Sequence, residues 1–289
     1  MTLTQATTRT LDAPGATLTY DVRPGGSGDE TPLFLIGSPM GAAGFASLAS
    51  HFPDRTIVTY DPRGSERSTK DDPTTESTPD QHADDLHRII AEVGGPVDLF
   101  ASSGGAVNAL ALVTEHPDDV RMLIAHEPPL ASVLPDGDNA KAVVRAIQSS
   151  YQSGGFGVGM AHFIAVTGHR GKFPDDFASQ PAPDPAAFGM PTEDDGNRTD
   201  VLLAQNIIGT THYEPDFDAL RAASTTIIMA AGGESEGEMA NRGGYACAEA
   251  LGQQPVIFPS HHGGFLGGEY GWPGEPDAFA AKLREVLEG

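Results

Sequence analysis

Val97-Asp98-Leu99-Phe100-Ala101-Ser102-Ser103-Gly104-Gly105 decides the reading of this chain. A short apolar run falls directly into two serines and two glycines, and residues 104–116 then read as a helix. A serine held on such a tight strand-to-helix turn projects its hydroxyl above the edge of a sheet, provided that the residues two before and two after it are small. With Ser103 at the apex those residues are Ala101 and Gly105, and both fit; with Ser102 the first would be Phe100, which is too large. Ser103 would also open the helix, where the Gly104 N–H can meet a developing oxyanion. A Ser/Gly-rich turn without chemistry is the competing reading.

Strands and helices alternate on both sides of this turn. Pro32-Leu33-Phe34-Leu35-Ile36 and Thr56-Ile57-Val58-Thr59-Tyr60 have the length and character of strands buried on both faces, and they end at Gly37 and at Asp61-Pro62-Arg63-Gly64. A helix is expected over residues 80–93, with Thr78 as its cap, Pro79 in its first turn and Gly94 as its stop. Its apolar residues Ala83, Leu86, Ile89, Ile90 and Val93 fall on one face. Strands over residues 122–125, 226–230 and 255–258, and helices over 243–252 and 276–287, continue the alternation. Such an order implies a mostly parallel sheet. Upstream, two short strands flank Asp12-Ala13-Pro14-Gly15, and residues 23–30 read as a Gly-rich turn.

The alternation breaks between residues 131 and 215. Helices are expected over 141–151 and 200–209, and 171–196 is rich in Pro, Asp and Gly and reads as loop. The expected organisation is one α/β core, residues 1–130 and 216–289, carrying residues 131–215 as a helical insert or lid over the carboxyl edge of the strands. Phe156, Met160, Phe163 and Ile164 of the insert, with Met40 of the core, are candidates for an apolar substrate pocket. The same residues at helical spacing suit plain packing equally well.

Composition narrows the partners. The chain has 289 residues, 39% of them hydrophobic, and carries 40 acidic against 17 basic residues for a net charge of −23. That field repels nucleic acid phosphate and anionic lipid. No apolar run approaches the ~20 residues that span a bilayer. Residues 1–12 are polar, without the apolar core of a secretory signal, so a cytoplasmic protein is expected. Cys247 is the only cysteine, which rules out an intrachain disulfide and a cysteine metal cluster; it reads as a small buried residue in the helix after Arg242.

The elements Gly37-Ser38-Pro39, Asp61-Pro62-Arg63-Gly64, Ala101 to Gly105, and Ser260-His261-His262-Gly263-Gly264-Phe265, taken in order, resemble the α/β-hydrolase family along almost the whole chain. Where most members carry His-Gly, this chain has Ile36-Gly37, a change the backbone donor tolerates. The resemblance implies the α/β-hydrolase fold, Ser103 as nucleophile, and an oxyanion hole from the Ser38 and Gly104 N–H groups. It places the catalytic histidine after the last strand, where the family's His-x-x-Phe run matches His262 to Phe265 and favours His262 over His261. Arg63 is expected to be structural in its turn. His51, His82, His87 and His116 lie on expected helices or their ends, and His162, His169 and His212 lie in the insert.

The acid has two possible places. Most members carry it after the strand that follows the insert, but Gly232-Gly233-Glu234-Ser235-Glu236 holds no aspartate. The other place is the end of the strand after the nucleophile helix, here His126-Glu127-Pro128-Pro129. Haloalkane dehalogenases and the fungal zearalenone-lactone hydrolases resemble the chain in this, with a separation similar to the 24 residues between Ser103 and Glu127. If those two strands are neighbours their ends lie ~4.8 Å apart, and one histidine can bridge them. Glu127 is preferred, with Glu234 the alternative.

The implied activity is that of a serine hydrolase needing neither metal nor cofactor, acting on a small apolar carboxylic ester or lactone. Serine at the elbow argues against dehalogenase and epoxide hydrolase chemistry, which normally uses aspartate there. Cofactor-free perhydrolase activity on the same residues, and a non-enzymatic small-molecule receptor, are the rival readings.

Overall fold

A computed structural model describes residues 5–26 and 30–289. Part of the expected Gly-rich turn, residues 27–29, lies outside the described residues, as do residues 1–4. In chain order the elements are β1 (Thr7–Ala13), β2 (Ala16–Arg23), β3 (Leu33–Ile36), α1 (Ala46–Ser50), β4 (Ile57–Asp61), β5 (Thr69–Lys70), α2 (Pro79–Val93), β6 (Val97–Ser102), α3 (Gly104–Glu115) and β7 (Val120–His126). Then follow α4 (Gly137–Thr167), α5 (Ile207–His212), α6 (Phe217–Ala222), β8 (Thr226–Gly232), α7 (Met239–Ala250), β9 (Val256–Phe258) and α8 (Pro276–Glu288).

One sheet runs in the order β1-β2-β4-β3-β6-β7-β8-β9, with β5 paired to β2. The hairpin β1-β2 and the β2-β4 and β2-β5 pairs are antiparallel; every other pair is parallel. Alternate residues of the central strands enter two different apolar clusters, because successive side chains of a strand point to opposite faces. Phe34, Leu99, Ala101 and Leu123 pack with α2, α3 and Cys247 of α7. Leu33, Leu35, Phe100 and Ile124 pack with Leu48 of α1 and Phe279 and Leu283 of α8. Helices therefore cover both faces, and the central strands are apolar throughout.

Local chemistry sets the helix ends. Thr78 and Gln81 form a reciprocal capping box on α2, and Gly94 closes that helix at φ +83°. Arg63 is buried and makes a bidentate bond to Asp85 of α2 at 2.7 and 2.8 Å, which ties the turn after β4 to that helix. The helix expected over 243–252 begins earlier, at Met239. Gly243 and Gly244 lie inside it: a Cβ on Gly243 would stand 2.1 Å from the Pro128 carbonyl oxygen. These glycines let α7 approach the segment after β7; they do not mark its start.

Residues 131–215 contain helices and turns and no strand. The helix expected over 141–151 is the first part of the longer α4, which turns at Gly155 (φ +79°). Val143, Ile147, Tyr151, Leu203 and Ile207 of the segment pack in one apolar cluster, which Met239 of α7 joins. It is tied to the core on two sides. Gly171 N–H donates to the Gly237 carbonyl at 2.8 Å, and Arg242 pairs with Asp136. Opposite, Ser77 N–H donates to the Gln205 carbonyl at 2.7 Å, and buried His82 bonds Asn206 Oδ1 at 2.8 Å. Among the described residues no helix is long and apolar enough to cross a membrane.

Candidate active site

The β6-to-α3 junction separates the two serines. Ser102 is the last residue of β6; it is buried, and its Oγ lies 3.2 Å from Nδ1 of buried His126. Ser103 stands beyond the strand at φ +58°, ψ −127°, a strained conformation for a residue with a side chain, and it faces a cavity. The turn is held by Ser103 N–H donating to the His126 carbonyl at 2.9 Å and by Ala106 N–H donating to the Ser103 carbonyl at 2.9 Å. The two glycines allow a close approach of the β3 loop. A Cβ on Gly104 would lie 2.5 Å from the Ser38 carbonyl oxygen, and one on Gly105 would lie 2.8 Å from Gly37 Cα. Among the described residues neither the Ser38 nor the Gly104 N–H has a protein acceptor.

Neighbouring parallel strands place the carboxylate. Ser102 pairs with His126, so Ser103 and Glu127 each stand one residue past the end of the β6-β7 ladder. Glu127 is buried, at φ +50°. Its Oε1 accepts from Gly232 N–H at 2.8 Å, Ser235 Oγ at 2.5 Å and Asn241 Nδ2 at 2.9 Å, and its Oε2 lies 2.6 Å from His262 Nδ1. Burial pushes this carboxyl up, but the His262 bond, the nearby imidazoles and the Ser235 bond outweigh it and hold Glu127 well below the usual carboxylate range. For His262, burial pulls the pKa down, while the Glu127 bond and the charges of Glu127 and Glu238 more than offset it; the result lies above the ordinary value. His126 has no such partner, and burial takes it down to about 4.

Glu234 is exposed, and its backbone carbonyl, not its carboxylate, is the group in use: it accepts from Arg170 at 2.8 Å. His261 has both ring nitrogens occupied. Its Nδ1 accepts from Gly263 N–H at 3.0 Å and its Nε2 lies 3.1 Å from the Pro273 carbonyl. His262 Nε2 is the imidazole nitrogen left for the cavity that Ser103 also lines.

Residues 33–259 match the family described as alpha/beta hydrolase fold. The chain belongs to that family. It is similar to the uncharacterized hydrolase YraK of Bacillus subtilis (strain 168), 31% identical over 267 residues, covering 89% of each chain. Among solved structures it is similar to a thermophilic esterase from Thermogutta terrifontis with malate bound, at TM-score 0.65 and 20% identity over 98% of both chains. It is also similar to a thioesterase domain from the curacin biosynthetic pathway, at TM-score 0.63 and 15% identity over 99% of this chain and 100% of that one. At these identities the two structures share the fold with this hydrolase-family chain.

The cavity of this family member has a volume of about 470 Å³ and lies between residues 131–215 and the strand ends. Three of its expected lining residues are elsewhere. Met40 is wedged between Gly37 and Gly44 and packs against the core beside α1. Phe156 and Met160 pack against the apolar cluster that α4 shares with Leu203, Ile207 and Met239, and the stripe they belong to meets the cavity only at Phe163 and Ile164. Long-range packing supplies residues that no motif marked: Asn206 just before α5, Thr210 and Thr211 of α5, Glu238 at the start of α7, and Trp272 at the rim. Ser235 and Asn241, which hold Glu127, were equally invisible, because neither stands at a recognisable spacing from it. Cys247 is buried in α7 as expected, and burial pushes its thiol up to about 12.

Proposed function

We propose that the protein is a serine hydrolase of carboxylic esters or lactones that works through an acyl-enzyme. The observation that carries this is the arrangement around one cavity: a buried carboxylate with three further donors and a 2.6 Å bond to His262 Nδ1, and Ser103 on a strained turn lining the same space as His262. In this reading His262 Nε2 takes the Ser103 proton and Oγ attacks the carbonyl carbon. The Ser38 and Gly104 N–H groups, without acceptors of their own, receive the oxyanion. His262 returns the proton to the leaving oxygen, and water activated by the same ring cleaves the acyl-enzyme. Glu127 fixes the tautomer and stabilises the imidazolium. No step calls for a metal.

The mostly apolar lining suits an apolar acyl or alcohol group. The ties on both sides of residues 131–215 support a roof that stays in place while substrate enters at the Trp272 rim. A fluorophosphonate probe followed by peptide mass spectrometry tests the assignment. Label on the peptide at Ser103, lost in Ser103→Ala and kept in Ser102→Ala, is the expected result. Ser103→Ala should lose ester turnover by roughly 10⁵- to 10⁶-fold. Label on Ser102, or on no serine, overturns the proposal.

A further inference from the structure

Glu238 has a place in the cavity that the proposed reaction does not use. It precedes the first turn of α7, yet its side chain makes no capping bond. It lines the same cavity as His262, and its charge favours the protonated form of that ring. Its one side-chain partner among the described residues is Arg170, which reaches Oε1 at 3.3 Å, long for a charge-assisted bond, while donating to the Glu234 carbonyl at 2.8 Å. Oε2 has no protein partner among the described residues. Arg170 lies outside the lining and is largely exposed. Among the described residues that line the cavity, Glu238 is the one acidic side chain and His261 and His262 are the only basic ones, with no lysine or arginine. The whole chain carries −23, a field that draws cations toward the mouth.

We infer that Glu238 selects substrates by charge and that the site prefers esters bearing an ammonium group over neutral or anionic ones. An ammonium beside Oε2 gains a partner for a carboxylate already partly withdrawn from water. A substrate carboxylate would meet Glu238 with no basic lining residue except the two histidines to offset it. The exposed indole of Trp272 offers an aromatic surface at the rim of the same cavity. This inference rests on the serine-hydrolase reading for its kinetics but not for its binding test.

The probes are the butyryl esters of choline and of 3,3-dimethylbutanol, which differ by a quaternary nitrogen in place of a carbon. In wild type the kcat/KM ratio, cationic over neutral, should be about tenfold, and it should fall to near unity in Glu238→Gln while Glu238→Asp keeps most of it. The ratio should persist in 0.5 M salt, which screens the distant surface charges but not a contact inside the cavity. Glu238→Gln should also shift the acid limb of the pH profile to lower pH, because one of the two carboxylates that favour protonated His262 is gone. A ratio unchanged in Glu238→Gln, or a wild-type preference for the neutral ester, overturns the inference. If neither ester is turned over, binding decides the subsite, and the fluorophosphonate label on Ser103 decides the hydrolase reading. Trp272 is the only tryptophan, so its fluorescence in Ser103→Ala reports choline against 3,3-dimethylbutanol. Tighter choline binding that Glu238→Gln abolishes upholds the subsite, and equal binding overturns it.

Discussion

Among the described residues two groupings join two histidines and a carboxylate, and only one of them borders the cavity that Ser103 faces. His126, Glu127 and His262 meet at the strand ends; His87, His116 and Asp119 meet on the surface beside α2 and the end of α3. In each, one imidazole Nδ1 lies 2.6 Å from a carboxylate oxygen. The difference is what surrounds the pair. Glu127 has no exposure and three further donors, so its orientation is fixed and its charge is kept in a medium of low polarity. The Asp119 and His87 side chains are 21% and 37% exposed, His87 stacks on His116 at 3.8 Å, and water competes for every bond they make. A short bond between histidine and carboxylate is therefore not the mark of a catalytic pair. In the proposed reaction, desolvation, supporting donors and a strained serine on the same cavity are what set Glu127 and His262 apart.

Exchanging the carboxylate in each grouping puts that comparison under the greatest load. Glu127→Gln should lower kcat by about 10⁴, since it removes the charge that stabilises imidazolium while keeping the shape. Asp119→Asn should leave ester turnover unchanged and alter stability by less than about 1 kcal/mol, because a half-buried histidine–carboxylate contact that water can reach contributes little. Glu234→Gln should behave like Asp119→Asn. Equal loss from Glu127→Gln and Glu234→Gln would show that the commoner family location still supplies the acid in the working enzyme.

A smaller effect comes from weakening the support around Glu127. Ser235→Ala deletes one of its donors and should cost about tenfold in kcat, the scale of a buried hydrogen bond to a charged group. No loss would mean that Gly232 and Asn241 hold the carboxylate by themselves.

The smallest expected effect is one of position along the pH axis. A base must be neutral to accept a proton, so kcat/KM should rise with pH through the ionisation of His262. Because Glu127 and Glu238 favour its charged form, the midpoint should lie above the ordinary 6.5 of a histidine, and activity should be lost as pH falls through it. A midpoint below 6.5 would mean that burial outweighs both carboxylates.

Much of this was legible in one dimension. Alternating buried runs and turn residues are local consequences of strand and helix geometry, so the parallel sheet, the Thr78 cap and the separation of Ser102 from Ser103 could be read from neighbours a few residues apart. The choice between Glu127 and Glu234 was half legible: spacing allowed both, and it took the β6-β7 register and the closeness of α7 at Gly243 and Gly244 to bring Glu127 to His262. The cavity wall was hardly legible. Phe156, Met160 and Phe163 share a helical stripe, but which part of a stripe faces the cavity and which faces the apolar cluster around Tyr151 and Leu203 depends on where α4 turns and what packs over it. The sequence by itself determined the elements and their small, charged or apolar character, since those follow from forces acting over a few residues. Tertiary structure alone decided that Ser235 and Asn241 should hold Glu127, and that Glu238 should stand on the cavity wall, because those contacts join residues more than 20 positions apart through packing that no local pattern encodes.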